Sequence, residues 1–103
     1  MNINIKATGL ELTPPIKEFI KEKIGSLHKF IQKLDPDNQI LAEVEIARTT
    51  THHHKGDVFH AEVNLTLPGK MLRAEAEDFD IRVATNKVKD KIQREIEKYK
   101  ETR

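Results

Sequence analysis

The sequence predicts an α+β fold, a single domain of order β-α-β-β-β-α whose four-stranded sheet carries two helices on one face. In four segments apolar and polar residues alternate, which is the period of a strand with one buried face. In two longer segments, 14–34 and 79–103, apolar residues recur every three or four positions, as in amphipathic helices. Helices covering one face of a sheet would bury both sets in one core, and 103 residues suffice for one such domain.

The chain begins with a strand and a helix. Isoleucines alternate with polar residues over 2–6, and Gly9 gives a turn after this first strand. Thr13 precedes two prolines, which is typical of a helix N-cap followed by proline in the first turn. The apolar stripe then continues to Leu34, with Gly25 as a weak point inside the predicted helix.

Three more strands and a second helix follow. Alternation returns from Ile40, and the polar segment 49–57 is expected to be a connecting loop. The next two alternating segments flank Pro68-Gly69-Lys70, a turn signal that predicts a hairpin of strands three and four. Asp80 can cap the last helix. The predicted apolar face of that helix is Ile81, Ala84, Thr85, Val88, Ile92, Ile96 and Tyr99.

The outward side of the predicted sheet is acidic. Phe59 falls on the inward side, so the outward face offers no aromatic side chain for base stacking of the kind that RRM domains use. We expect this face to repel nucleic acid and to serve as a docking site only if the partner is a protein. Its carboxylates are Glu43, Glu45, Glu62, Glu75 and Glu77.

Charge is segregated between the helices and the remaining chain. The two helical segments, 14–34 and 79–103, hold 13 of the 18 Lys/Arg and 7 of the 17 Asp/Glu, so their net charge is +6 while the remainder carries −5. A formal net charge of +1 therefore conceals a basic and an acidic part. Basic faces of this kind neutralise phosphates and release their counterions, which makes polyanion binding the first functional hypothesis.

The basic residues of the last helix fall in rows. On a helical wheel four of them lie within about 60° of each other beside the apolar stripe, and Arg82, Lys89 and Lys100 flank the stripe on its other side. In the first helix Lys17 and Lys23 are among the exposed or snorkelling cations. We expect the two packed helices to pool these charges and to bind RNA backbone rather than base sequence. The four-residue row is Lys87, Lys91, Arg94 and Lys98.

Catalysis has no support in the sequence, and no cofactor is expected. The chain has no Cys and no Gly-rich phosphate loop, and its one serine, Ser26, falls in a helix. His52-His53-His54 could ligate a divalent metal, but adjacent side chains of a loop diverge and no spaced ligand completes a site, so we predict no metal site. No segment has the apolar length of a signal peptide or membrane span, so a cytoplasmic location is expected.

Nearly the whole sequence resembles the ribosome hibernation promoting factor family, also called ribosome-associated inhibitor or sigma-54 modulation proteins. Order and spacing of several motifs carry the resemblance together. Where that family often has an aromatic residue near the start of its second helix, this chain has Arg82. The motifs are Met1-Asn2-Ile3-Asn4-Ile5, Leu12-Thr13-Pro14, His54-Lys55-Gly56-Asp57-Val58-Phe59, Leu67-Pro68-Gly69, Asp90-Lys91-Ile92-Gln93-Arg94 and Lys98-Tyr99-Lys100.

The resemblance implies a fold like that of double-stranded RNA-binding domains and a factor bound between the head and body of the small ribosomal subunit. There it would contact rRNA and block mRNA and tRNA sterically, which inhibits translation in stress. Matching positions assign RNA binding to Lys17, Lys23 and Lys29 in the first helix and to Lys91, Arg94 and Lys98 in the second, and the helical wheel adds Lys87.

The resemblance also bears on domain organisation and partners. It implies the short class of the family, with residues 1–103 as one ribosome-binding domain and no C-terminal dimerisation domain. The expected partners are the small ribosomal subunit and its rRNA, with no membrane, no small-molecule substrate, and a monomer away from the ribosome. The alternative is a protein-interaction module, for example a transcription-factor modulator that docks through the acidic sheet face.

Overall fold

Four strands form one sheet in the computed structural model, which describes residues 1–49 and 56–102. The element order confirms the predicted β-α-β-β-β-α fold, with the first helical segment divided into pieces. His52–His54 lie outside the described residues. The strands are β1 (Asn2–Thr8), β2 (Leu41–Thr49), β3 (Val58–Leu67) and β4 (Lys70–Asp78), and the helices are α1 (Pro14–Gly25), α2 (His28–Ile31) and α3 (Ile81–Glu101).

The strands lie in the order β1-β2-β3-β4, so β1 and β4 are the edges of the sheet. β1 runs parallel to β2, because the helical segment between them carries the chain back across one face. β2, β3 and β4 are antiparallel neighbours. The predicted hairpin at Pro68-Gly69-Lys70 is confirmed, with Leu67 opposite Lys70.

The prediction of one continuous helix over 14–34 was wrong beyond Gly25. α1 ends there, α2 is a single turn, and Gln32–Leu34 form a 3-10 turn. The Ser26 hydroxyl donates to the carbonyl of Lys23 at 2.6 Å, and the amide of Leu27 bonds to the carbonyl three residues back, not four. Glycine and serine favour such a tightening of a helix, which turns Phe30 towards the end of α3.

The core lies between the sheet and the helices, as the periodicity predicts. Ile20 and Ile24 of α1 are fully buried, and so are Leu27 and Ile31 beyond the break. The predicted apolar face of α3 is buried except at Ile81, which is half-buried. Within residues 1–49 and 56–102, no helix combines the length and apolar character needed to cross a membrane.

Asp35 holds the connection between the first helical segment and β2. Its buried carboxylate accepts hydrogen bonds from the backbone amides of Gln39 and Ile40, the latter at 2.9 Å, and pairs with the ammonium of Met1 at 2.7 Å. Burial alone would raise the pKa of Asp35, but the Met1 ammonium and the two amides outweigh burial and leave this pKa below 3.8. This carboxylate therefore fixes where β2 begins beside β1.

Candidate RNA interface

The start of α3 is fixed by two aspartates. The side chain of Asp80 accepts from the backbone amides of Arg82 at 2.7 Å and Val83 at 3.3 Å, which confirms the predicted N-cap. The Asp78 carboxylate accepts from the amide of Asp80, and this bond, followed by the Lys87 ammonium, lowers the pKa of Asp78. α3 therefore begins at a defined angle to β4, and this angle positions every cation along it.

One flank of α3 lies along the edge strand β4 and carries the four predicted cations, named here the β4-side ridge: Lys87, Lys91, Arg94 and Lys98. Lys87 donates to the Asp78 carboxylate at 3.0 Å, and Lys91 donates to the backbone carbonyl of Glu75 at 2.8 Å. Lys98 lies 3.7 Å from the Glu95 carboxylate and is mostly exposed. Arg94 is exposed and forms no ion pair within the described residues.

The ridge can bind phosphates in a row. A rise of 1.5 Å per residue spreads it over about 16 Å of helix. A hollow of about 370 Å³ between α3 and β4 lies beside it. Its charged lining residues are Arg73, Lys91, Arg94 and Lys98 together with Glu75 and Glu95. Lys87 is the least available member, because Asp78 already neutralises its charge. Arg94 and Lys98 are the most available.

The opposite flank of α3 faces α1 and α2. The Arg82 guanidinium lies 5.5 Å from the centre of the Phe19 ring, and the Lys23 ammonium lies 5.6 Å from the same centre. Both cations thus share one aromatic side chain at the seam between α1 and α3. Further along, Lys100 donates to the carbonyl of Phe30 at 3.0 Å, and the Lys29 ammonium lies 5.2 Å from the Phe30 ring centre.

The expectation that the packed helices pool their cations is met only in part, at the seam. On α3 the ridge and the seam cations point about 150° apart, so the width of the helix separates them. Lys23 and Lys29 join the seam, whereas Lys17 lines a separate hollow beside Leu10. The structure therefore brings the predicted RNA-binding residues together in two groups and leaves Lys17 outside both.

Arg82 and Lys100 are seam cations absent from the predicted RNA-binding residues. The helical wheel places them beside the apolar stripe, but only the packing of α1 and α2 against α3 shows that they meet Lys23 and Lys29. The sequence by itself does not reveal which flank of α3 faces the first helix.

The outer sheet face is acidic, as predicted. Glu45 lies opposite Glu62, which lies opposite Glu75, so three carboxylates cross the sheet in one row. Like charges in such positions repel. Arg73 bridges two of them, at 3.2 Å from Glu62 and 2.6 Å from Glu75, and Lys6 lies 3.9 Å from Glu45. The basic helices and the acidic sheet thus form opposite faces.

One group of possible metal ligands occurs among the described residues. Ligand atoms of His60, Glu62 and Glu75 all lie within 4.8 Å of one another. Arg73 already bonds to both carboxylates and supplies a positive charge there. The His60 ring also lies 3.3 Å from Glu77. The group is therefore explained as a salt-bridge network of the sheet face.

Comparison with curated proteins gives several matches. A ribosome hibernation promotion factor of Deinococcus radiodurans is 26% identical over 96 residues, covering 93% of this chain and 47% of that protein. A ribosome hibernation promoting factor of Klebsiella oxytoca is 27% identical over 101 residues, covering 98% of this chain and 95% of that protein. The chain thus spans about half the length of the longer curated relatives that it matches.

The fold is similar to that of a solved structure, and a protein family matches the sequence. The crystal structure of the N-terminal domain of Protein Y from Thermus thermophilus superimposes with a TM-score of 0.77 at 24% identity, over 96% of this chain and 99% of that one. This likeness supports the α+β fold. The family described as Sigma 54 modulation protein / S30EA ribosomal protein matches residues 3–103. Because this match spans nearly the whole sequence, the chain belongs to that family.

Proposed function

We propose that this protein is a non-enzymatic hibernation factor that binds the small ribosomal subunit in the cytoplasm. It contacts rRNA through helix-borne cations and sterically blocks mRNA and tRNA, which inhibits translation under stress. The observation that carries the proposal is the family match over residues 3–103, because curated relatives in this family are named as ribosome hibernation factors.

The separation of charge between the two faces supports the proposed mode of binding. The β4-side ridge and the seam cations lie on the helical side, and the row of Glu45, Glu62 and Glu75 lies on the outer face of the sheet. An RNA surface attracts the first face and repels the second, so charge alone orients the protein on its target. Cations on a helix contact phosphates, and so the shape of folded RNA and not its base sequence would select the site.

The proposed contacts differ in weight. Arg94 and Lys98 project without a strong intramolecular partner, so they give the largest electrostatic contribution. Lys91 and Lys87 contribute less, because each ammonium also bonds to β4. In the first helical segment Lys23 and Lys29 act from the seam, and Lys17 forms an outlying contact.

Co-sedimentation with isolated small subunits over a salt series tests the proposal. The parent should bind at about one copy per subunit, and binding should weaken steeply with salt as counterions return to the phosphates. A double variant, Arg94→Gln with Lys98→Gln, should reduce the slope of log affinity against log salt by about 2. Lys6→Gln with Lys70→Gln removes the same charge from the sheet and should preserve the slope.

A second candidate function is protein binding through the acidic sheet face, and the row of three carboxylates favours it. A transcription-factor modulator of this kind would lose affinity in a Glu62→Gln variant and would show weak dependence on the ridge. Failure of the parent to bind small subunits at low salt would reject the ribosomal proposal in favour of this candidate.

A further inference from the structure

A cleft lies where α2 and the following 3-10 turn meet the last turns of α3. Its volume is about 500 Å³, within the range of small-molecule sites, which is about 300 to 1,000 Å³. It lies at the far end of the seam from Arg82 and on the flank of α3 opposite the β4-side ridge. Six residues line it: Lys29, Phe30, Gln32, Lys33, Leu34 and Lys100.

The charge of this cleft is one-sided. Three of its six residues are lysines, and none is acidic. Within the described residues Lys29, Lys33 and Lys100 form no ion pair with a carboxylate, whereas Lys87, Lys91 and Lys98 on the other flank all bond to β4 or to a glutamate. The positive charges around this small volume repel one another, and a bound anion with several negative charges would replace this repulsion with attraction.

The other side chains of the cleft are suited to a flat, partly polar group. Phe30 and Leu34 are half-buried and pack against the core, so they form a fixed apolar wall. Phe30 also contacts two of the lysines: Lys100 donates a hydrogen bond to its backbone carbonyl, and the Lys29 ammonium lies over its ring. Gln32 adds an amide that can donate and accept at the edge of a base.

We infer that this cleft binds a free nucleoside diphosphate, with its phosphates on the ammonium groups of Lys29, Lys33 and Lys100 and its base against Phe30 and Leu34. A diphosphate concentrates several negative charges within a few ångströms, which matches three neighbouring ammonium groups. An internal phosphodiester of RNA carries a single charge, so an RNA strand would have to place several successive phosphates in the cleft to supply the same charge. The charge density thus favours the free nucleotide over an RNA strand.

The inference does not depend on ribosome binding, although Lys29 is common to both proposals. It rests on the cavity, on the apolar wall, and on three lysines that form no ion pair with a carboxylate within the described residues. Nucleotide binding and subunit binding are separate measurements on the same variants. Loss of one with retention of the other distinguishes a failure of this site from a failure of the proposed function.

Isothermal titration of the full chain with ADP and GDP tests the inference. We expect one nucleotide per chain and, in Lys33→Ala and Lys100→Ala, an affinity weakened about tenfold in each case. Lys70→Ala removes an exposed lysine at the start of β4 and should bind the nucleotide as the parent does. An equal loss in Lys70→Ala would indicate general charge attraction and would overturn the site, as would the absence of binding to the parent.

Two further probes test the base and the source of the phosphates. Gln32→Ala should weaken ADP or GDP binding and leave pyrophosphate binding unchanged, and circular dichroism checks that this variant folds. Pyrophosphate that binds the parent as tightly as both nucleotides would overturn the role of the base. A short RNA lacking a 5′ phosphate should bind less tightly than ADP at about 150 mM salt. Tighter binding of this RNA, lost in Lys33→Ala, would assign the cleft to RNA instead.

Discussion

The ammonium group of Lys91 donates a hydrogen bond to the backbone carbonyl oxygen of Glu75 at 2.8 Å. β4 is an edge strand, and unpaired backbone groups on such an edge invite pairing with another chain. Lys91 covers one of these groups and ties α3 to the sheet. The same side chain is one of the proposed rRNA contacts, so it has both a structural role and a proposed binding role, whereas Arg94, one turn further along, has only the proposed binding role.

Substitution of these two residues should separate the two roles. Lys91→Gln should weaken small-subunit binding and also lower the free energy of unfolding, by about 1 kcal/mol, because the hydrogen bond to Glu75 is lost. Arg94→Gln should weaken binding more than Lys91→Gln does, with the free energy of unfolding unchanged. Urea denaturation and co-sedimentation measure the two quantities. A stability loss in Arg94→Gln equal to that in Lys91→Gln would contradict the assignment.

The carboxylate row on the sheet should depend on Arg73. Arg73→Ala removes the cation that bridges Glu62 and Glu75 and should lower the free energy of unfolding by up to about 1 kcal/mol at low salt. The loss should shrink as salt screens the repulsion. Arg73→Lys is the matched control, since it keeps the charge and should recover most of the stability. A loss independent of salt would mean that Arg73 acts by packing.

Asp35 should make stability depend on acid. Its pKa is lowered in the folded state, so its contribution is present above the ordinary pKa of 3.8 and disappears as the pH falls through the lower, folded-state pKa. Asp35→Asn should cost about 1 to 3 kcal/mol at pH 7, and the difference from the parent should narrow below about pH 4. Urea denaturation across pH measures this difference. Asp37→Asn, an exposed neighbour, controls for the loss of one negative charge.

Gly9 should resist substitution more than Gly69 does. Both have positive φ angles, +77° and +75°, but a Cβ on Gly9 would lie 3.2 Å from the carbonyl oxygen of Arg48, and a Cβ on Gly69 would meet nothing within 4 Å. Gly69→Ala should lower the free energy of unfolding by about 1 kcal/mol from the backbone alone. Gly9→Ala should lose more, because β2 must also shift. Thermal or urea denaturation measures both losses. Equal losses would show that the backbone at Arg48 can shift at little cost in free energy.

The sequence predicted the elements and the buried faces because those follow from local periodicity. The stripe that includes Val88, Ile92 and Ile96 has the helical period, and its residues are buried in the structure. The caps at Thr13 and Asp80 were also predictable, since each acts within three residues of itself. The end of α1 at Gly25 was only partly predictable from the sequence. The apolar spacing of a helix continues through the 3-10 turn, although the backbone hydrogen bonds change from four residues back to three.

The sequence by itself determined that cations concentrate on the helices and carboxylates on the sheet, because charge and period can both be read residue by residue. Only the tertiary structure decided which flank of α3 packs against α1 and which lies along β4. That choice depends on contacts between distant residues, such as Arg82 with Phe19 and Lys100 with Phe30, and local patterns do not encode them. Packing therefore separated the predicted binding residues into two groups and created the cleft between α2 and α3.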